Sequence, residues 1–264
     1  MDMGIKKALD VDDDGDKQAI LNWLSPLDFT TQQIEFLERS QSGDGEWFLQ
    51  SAEYRAWLEK DGQVLFCPGI PKAGKTVLTA IVIDKLMKMF PNRQTTGIAY
   101  IYCNSHLRDT NDLIASLLKQ LSQSRSSLTK DVKDIYRRAS RGPRRPLRGV
   151  SSALESVTEM YSRVFIIVDA LDECQLFDSL RFLSELFDLQ ESNTNILVTS
   201  RFIPGIVAQF EGVPTLEIRA SSEDIARYLD DMDELPSFVR RDKHLQTEIR
   251  TKIVEAADGV YVLF

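Results

Sequence analysis

Eight residues, Gly69-Ile-Pro-Lys-Ala-Gly-Lys-Thr76, constrain the fold of this chain more than any others. They follow the apolar run Gln63 to Cys67 and precede a helix-like run that begins at Val77. Glycines bracketing a tight turn between a strand and a helix let several backbone N–H groups face one phosphate, and the helix adds its positive N-terminal dipole. In such a loop Lys75 reaches the β and γ phosphates and Thr76 ligates Mg²⁺. Gly69, Pro71, Lys72, Ala73, Gly74, Lys75, Thr76 and Val77 are therefore the expected nucleotide-binding residues, and ATP or GTP with Mg²⁺ the expected ligand.

A second segment supplies the other half of such a site. Val164 to Val168 are continuously apolar, the pattern of a strand buried on both faces of a parallel sheet, and Asp169 emerges at its carboxyl end. Ligands of doubly wound sheets bind beyond that end, so Asp169 is expected to hold the Mg²⁺ water shell beside Thr76. Starting the following helix is the plainer alternative for Asp169. Asp172 and Glu173 follow. Glu173 is the expected activator of the attacking water and Asp172 the expected outer contact to the metal, with helix capping as the structural alternative for either. A further apolar run, Asn195 to Ser200, ends at Arg201. Arg201 is expected either to sense the γ-phosphate or to form a surface ion pair with an Asp or Glu.

These motifs resemble those of the NACHT group of STAND NTPases. The resemblance rests on Gly69 to Thr76, on Asp169-Ala-Leu-Asp-Glu173 with its small residue after the first Asp, and on Asn195-Ile-Leu-Val-Thr-Ser-Arg201 as sensor strand. From about Ile20, through Gly43-Asp-Gly-Glu-Trp-Phe-Leu49, to Ala257-Asp-Gly-Val-Tyr-Val-Leu-Phe264, the chain is similar to fungal NACHT proteins. The resemblance implies a nucleotide-driven conformational switch with slow NTP hydrolysis, self-association or protein partners, and ankyrin or other repeats after this module. Lys72 departs from the group, which has glycine there; if the backbone needs a positive φ, the lysine costs on the order of 1 kcal/mol. The apolar run that closes at Phe264 continues in that group into a winged-helix region.

The remaining pattern predicts an α/β P-loop NTPase fold: a doubly wound, mainly parallel sheet with helices on both faces, plus a helical N-terminal extension. Helices are expected over 75–90, 109–122, 131–139 and 177–187 and from Ser222 and Leu245, with strands over 97–103, 195–200 and 215–218. One strand comes between the phosphate-loop strand and the acidic strand in sequence. That order, with an acid after the metal Asp, fits the additional-strand class of P-loop ATPases better than the GTPase-like class. The expected division is an acidic flexible tail over 1–19, a helical extension over 20–60, the NTPase core over 61–220 and a helical segment over 221–264. Apolar spacing from Lys17 to Leu37 suggests helical pieces broken at Pro26.

A net charge of −8 argues against a nucleic-acid backbone as partner. No stretch is long and apolar enough to span a membrane, and Met1 to Asp16 lacks the apolar core of a signal peptide, so a cytoplasmic setting is expected. Cys67, Cys103 and Cys174 have neither pairing nor metal-ligand spacing and read as buried thiols. Asp10 to Asp16 lacks the closing Glu of a calcium loop. Trp47, Phe48, Tyr54 and Trp57 read as core aromatics, with adenine stacking as the alternative. His106 and His244 read as surface residues. The basic loop Arg141 to Arg148 reads as an exposed hinge, or as the lid of a small-molecule P-loop kinase. A non-catalytic interaction module, degenerate at Lys72, is the other rival.

Overall fold

A computed structural model describes residues 11–105, 109–139, 147–174, 176–190 and 193–219, and a few residues between 244 and 252. Four strands form one parallel sheet: β1 (Val64–Pro68), β2 (Thr96–Tyr102), β3 (Arg163–Asp169) and β4 (Thr194–Ser200), in the order β1-β4-β3-β2. Nearly every strand residue is buried, which is why the sequence reads as unbroken apolar runs with no alternation. Strand β4 lies between the phosphate-loop strand and the acidic strand, with Leu65 opposite Leu197 and Ile167 opposite Leu197 across the two ladders. This inserted strand is the spatial form of the additional-strand order.

Residues 214–218 run beside the outer edge of β1. The Phe66 N–H donates to the Pro214 carbonyl (3.0 Å), Leu216 to Phe66 (2.9 Å) and Ile218 to Pro68 (2.7 Å). The expected strand over 215–218 is thus a rudimentary fifth strand, parallel through the Phe66–Thr215 bridge.

Right-handed crossovers between parallel strands sort the helices by the direction of each connection. The step from β1 to β2 carries α5 (Lys75–Met89), against which α2 (Thr30–Glu38) packs. Steps in the opposite sense carry α6 (Thr110–Gln123), α7 (Lys130–Ala139), α8 (Leu147–Thr158) and α9 (Leu176–Gln190), a second mutually packed group. It also receives α1 (Val11–Leu24) through α6. Asp109 opens α6 by accepting the Asn111 N–H at 2.9 Å, a side-chain cap at the expected start.

Between α2 and β1 come the short α3 (Glu46–Leu49) and α4 (Ala52–Glu59). They deliver Phe48, Tyr54 and Trp57 into the core, where Trp57 meets Phe165 at 5.3 Å between ring centroids. The Trp57 indole N–H donates to the Ile196 carbonyl (2.9 Å), and the buried Asn195 amide donates to the Lys60 carbonyl (2.7 Å). The N-terminal helices are therefore sewn to the central strand through the Trp57 indole and the Asn195 amide, both satisfied as burial requires.

Two sequence expectations change. The chain is helical from Val11 onward in α1, within the stretch expected to be a flexible tail, and Ile20, Leu21 and Leu24 bury along it. Helix α8 was not anticipated, although Val150, Ala153, Leu154 and Val157 have the spacing of one buried helical face. As expected, all three cysteines are buried thiols, and Cys103 and Cys174, unrelated by spacing, lie thiol to thiol. The basic loop 141–146, His106 and the start expected at Ser222 lie outside the described residues. His244 is exposed, and the described residues between 244 and 252 are helical.

Candidate nucleotide site

The phosphate-binding loop joins β1 to α5 at the carboxyl edge of the sheet. The Gly69 N–H donates to the Ser200 carbonyl (3.0 Å), which ties the loop's first residue to the end of β4. A Cβ on Gly69 would stand 2.5 Å from the Ile218 carbonyl oxygen, so only glycine fits between β1 and the fifth strand. Gly74 caps α5 with φ 86°, and Lys72 also takes a left-handed conformation, φ 62°. The positive φ expected to penalise a non-glycine residue at 72 is present.

Lys75, the first residue of α5, folds back over the loop: its ammonium donates to the carbonyls of Gly69 (2.9 Å) and Ile70 (2.8 Å). Burial pulls its pKa down, opposed by Asp172 and Asp169. One turn of α5 places Thr76 and Thr79 toward Asp169. The hydroxyl of Thr76 donates to Asp169 Oδ2 (2.7 Å), and those of Thr79 (3.0 Å) and Thr199 (2.7 Å) donate to Oδ1. Asp169 is 2 % exposed, and burial pushes its carboxyl above the ordinary range in spite of these three bonds and of Lys75. A buried carboxylate that keeps this much desolvation cost favours a cation. The Thr76 hydroxyl and Asp169 Oδ2 are hard oxygen donors that meet at one point and fit the few protein ligands Mg²⁺ takes beside a phosphate.

After Asp169 the chain turns through Ala170, φ 52°, into the 3-10 turn Leu171–Glu173. A left-handed residue there explains the small side chain. The Ala170 N–H donates to Thr199 Oγ1 (2.9 Å), so Thr199 joins the ends of β3 and β4. Asp172 does not stand free beside the metal position. Its Oδ1 accepts the backbone N–H of Arg201 (2.8 Å) and its Oδ2 accepts the Arg201 guanidinium. Burial works to raise the Asp172 pKa, but these bonds outweigh it and hold the group below the ordinary carboxylate value. Glu173 is exposed, and its pKa rises through partial burial and the adjacent charges of Asp172 and Asp169.

Beside the loop lies a cleft lined by Trp47, Gly74, Val77, Leu78, Ile218 and Arg219, among others. Phe48, Tyr54 and Trp57 are core aromatics as expected, whereas the half-buried Trp47 reaches this cleft. The structure thus brings the loop, Asp169, Asp172, Glu173 and Arg201 to one sheet edge. Thr79, Ile218 and Arg219 were not anticipated there, although Thr79 follows Thr76 by three residues and so shares its helix face.

The chain is 25 % identical over 236 residues to the vegetative incompatibility protein HET-E-1 of Podospora anserina, covering 82 % of this chain and 17 % of that protein. It therefore spans under a fifth of that relative's length. Among solved structures it is similar to the Aeropyrum pernix Orc1 protein, crystallised in complex with DNA (TM-score 0.49, 13 % identity, 84 % of this chain and 63 % of that one). It is also similar to domain III of the Thermotoga maritima replication initiation protein DnaA (TM-score 0.42, 16 % identity, 85 % and 81 %). The family described as Nephrocystin 3, N-terminal, matches residues 43–201, more than half of the 264 residues, including the 69–76 loop, Asp169–Glu173 and Asn195–Arg201. The chain belongs to this family and is a NACHT-like P-loop NTPase.

Proposed function

We propose that the chain binds a magnesium nucleoside triphosphate, ATP or GTP, hydrolyses it slowly, and uses the bound state as a conformational switch in a signalling protein. The observation that carries this reading is the convergence of Lys75, the Thr76–Asp169 pair and Glu173 on one loop mouth. Lys75, held by the carbonyls of Gly69 and Ile70, exchanges them for the β and γ phosphate oxygens. Thr76 and Asp169 would hold Mg²⁺, which would supply charge neutralisation to the bound triphosphate. Glu173, with its raised pKa and exposed position, takes a proton from the attacking water. The base occupies the cleft between Trp47 and Val77, where stacking supplies affinity.

Glu173→Gln tests the catalytic half of the reading. The variant should bind Mg·ATP as the parent does and lose turnover by at least about a hundredfold, the usual share of a general base. Parent-like turnover would make Glu173 structural. The left-handed Lys72 favours a second reading, a non-catalytic interaction module with weakened nucleotide binding. HET-E-1 is named for vegetative incompatibility, and a signalling role with protein partners or self-association is the corresponding proposal for this chain. Among the described residues no helix is long and apolar enough to cross a membrane.

A further inference from the structure

The Asp172–Arg201 pair is unequal. The Asp172 side chain is 2 % exposed and the Arg201 side chain 47 %, so the carboxylate is sealed beneath a guanidinium that solvent still reaches. Arg201 uses its backbone N–H and its Nε on the carboxylate, and its terminal amines donate to nothing among the described residues. Arg201 directly follows Ser200, whose carbonyl accepts the Gly69 N–H at 3.0 Å, which sets it beside the phosphate-binding loop. Two bonds from one carboxylate to both ends of a residue fix its side-chain direction as well as its charge.

We infer that Asp172 is the positioning residue of Arg201, aiming the terminal amines at the γ-phosphate, and is neither a metal contact nor a general base. The inference rests on the nucleotide reading given above. Holding Arg201 by Nε leaves the amines free, so the γ-phosphate is recognised without breaking the pair. Asp172 thereby contributes to telling a triphosphate from a diphosphate without touching either. Glu173, one residue on, is left as the acid available to water.

The test is calorimetric titration of Mg·ATP and Mg·ADP into the parent chain, Asp172→Asn, Arg201→Ala and the double variant. Asp172→Asn should weaken ATP about tenfold, the scale of one charge-assisted bond, and leave ADP within about twofold. In the Arg201→Ala background Asp172→Asn should change neither affinity further, because the residue acts through Arg201. Arg201→Lys, which keeps the charge but lacks Nε, should match Asp172→Asn and serves where that variant folds poorly. Equal loss of ATP and ADP, or a further tenfold loss in the Arg201→Ala background, overturns the inference while leaving the nucleotide reading intact. A parent that binds neither nucleotide overturns both.

Discussion

Thr199→Val isolates the hydroxyl that couples the acidic strand to its neighbour. Thr199 is 1 % exposed; its Oγ1 donates to Asp169 Oδ1 at 2.7 Å and accepts the Ala170 N–H at 2.9 Å. Valine keeps the shape and removes both bonds. A bond to an ionised carboxylate contributes about 1.5–3 kcal/mol, and the orphaned Ala170 N–H costs about 1–3 kcal/mol more. The methyl that replaces the hydroxyl recovers about 1 kcal/mol, which leaves a net loss of roughly 1.5–5 kcal/mol. In a chain of this size each kcal/mol moves Tm by about 2–4 °C, so Tm should fall by roughly 3–20 °C in nucleotide-free protein.

The loss has a pH signature. Asp169 has a folded pKa above its unfolded value of 3.8, so the stability it contributes is full at low pH and is lost as pH rises through the folded pKa. Removing a donor raises that pKa again. The gap between parent and variant should therefore widen as pH rises from about 4 toward neutrality, measured by urea unfolding across that range. A gap under about 1 kcal/mol, constant with pH, would refute the assignment of Thr199 as a working donor to an ionised Asp169.

Two other outcomes follow from the same geometry. Asp172 has a depressed folded pKa, so its stability is present above 3.8 and lost as pH falls through the folded value; Asp172→Asn should flatten the acid limb of the stability profile measured by thermal melts. Lys72→Gly removes a left-handed lysine that costs about 1 kcal/mol, partly offset by glycine's freedom in the unfolded chain. Stability should rise by up to about 0.5 kcal/mol, and a large gain in nucleotide affinity would favour the weakened-module reading.

The sheet and the loop were legible because their signals are local. Val164 to Val168 and Asn195 to Ser200 are unbroken apolar runs, and the glycines and Lys-Thr pair of 69–76 need only their two flanking elements to be read. Long-range partners carry no such signal. Nothing near Gln33 announces that its side chain accepts the Tyr102 hydroxyl and donates to the Ala80 carbonyl, tying α2 to both β2 and α5. The fate of Asp172 was open for the same reason: an acid three residues past Asp169 suits a metal site or an ion pair equally, and the pairing of β3 with β4 brings Arg201 to it. Ile218 and Arg219 reach the cleft only because the fifth strand lies against β1. Helix α8 is a different case: the spacing of Val150, Ala153, Leu154 and Val157 is itself a local helical signal, lying next to the basic loop.

Lys75 joins the loop, the acidic strand and the sensor strand electrostatically, and the central claim rests on it. The most direct measurement is calorimetric titration of Mg·ATP and Mg·GTP into the purified chain, with Lys75→Ala as control. The account predicts saturable binding of at least one nucleotide that depends on Mg²⁺ and disappears in the variant. Equal affinity in parent and variant, or no binding by the parent, would contradict it.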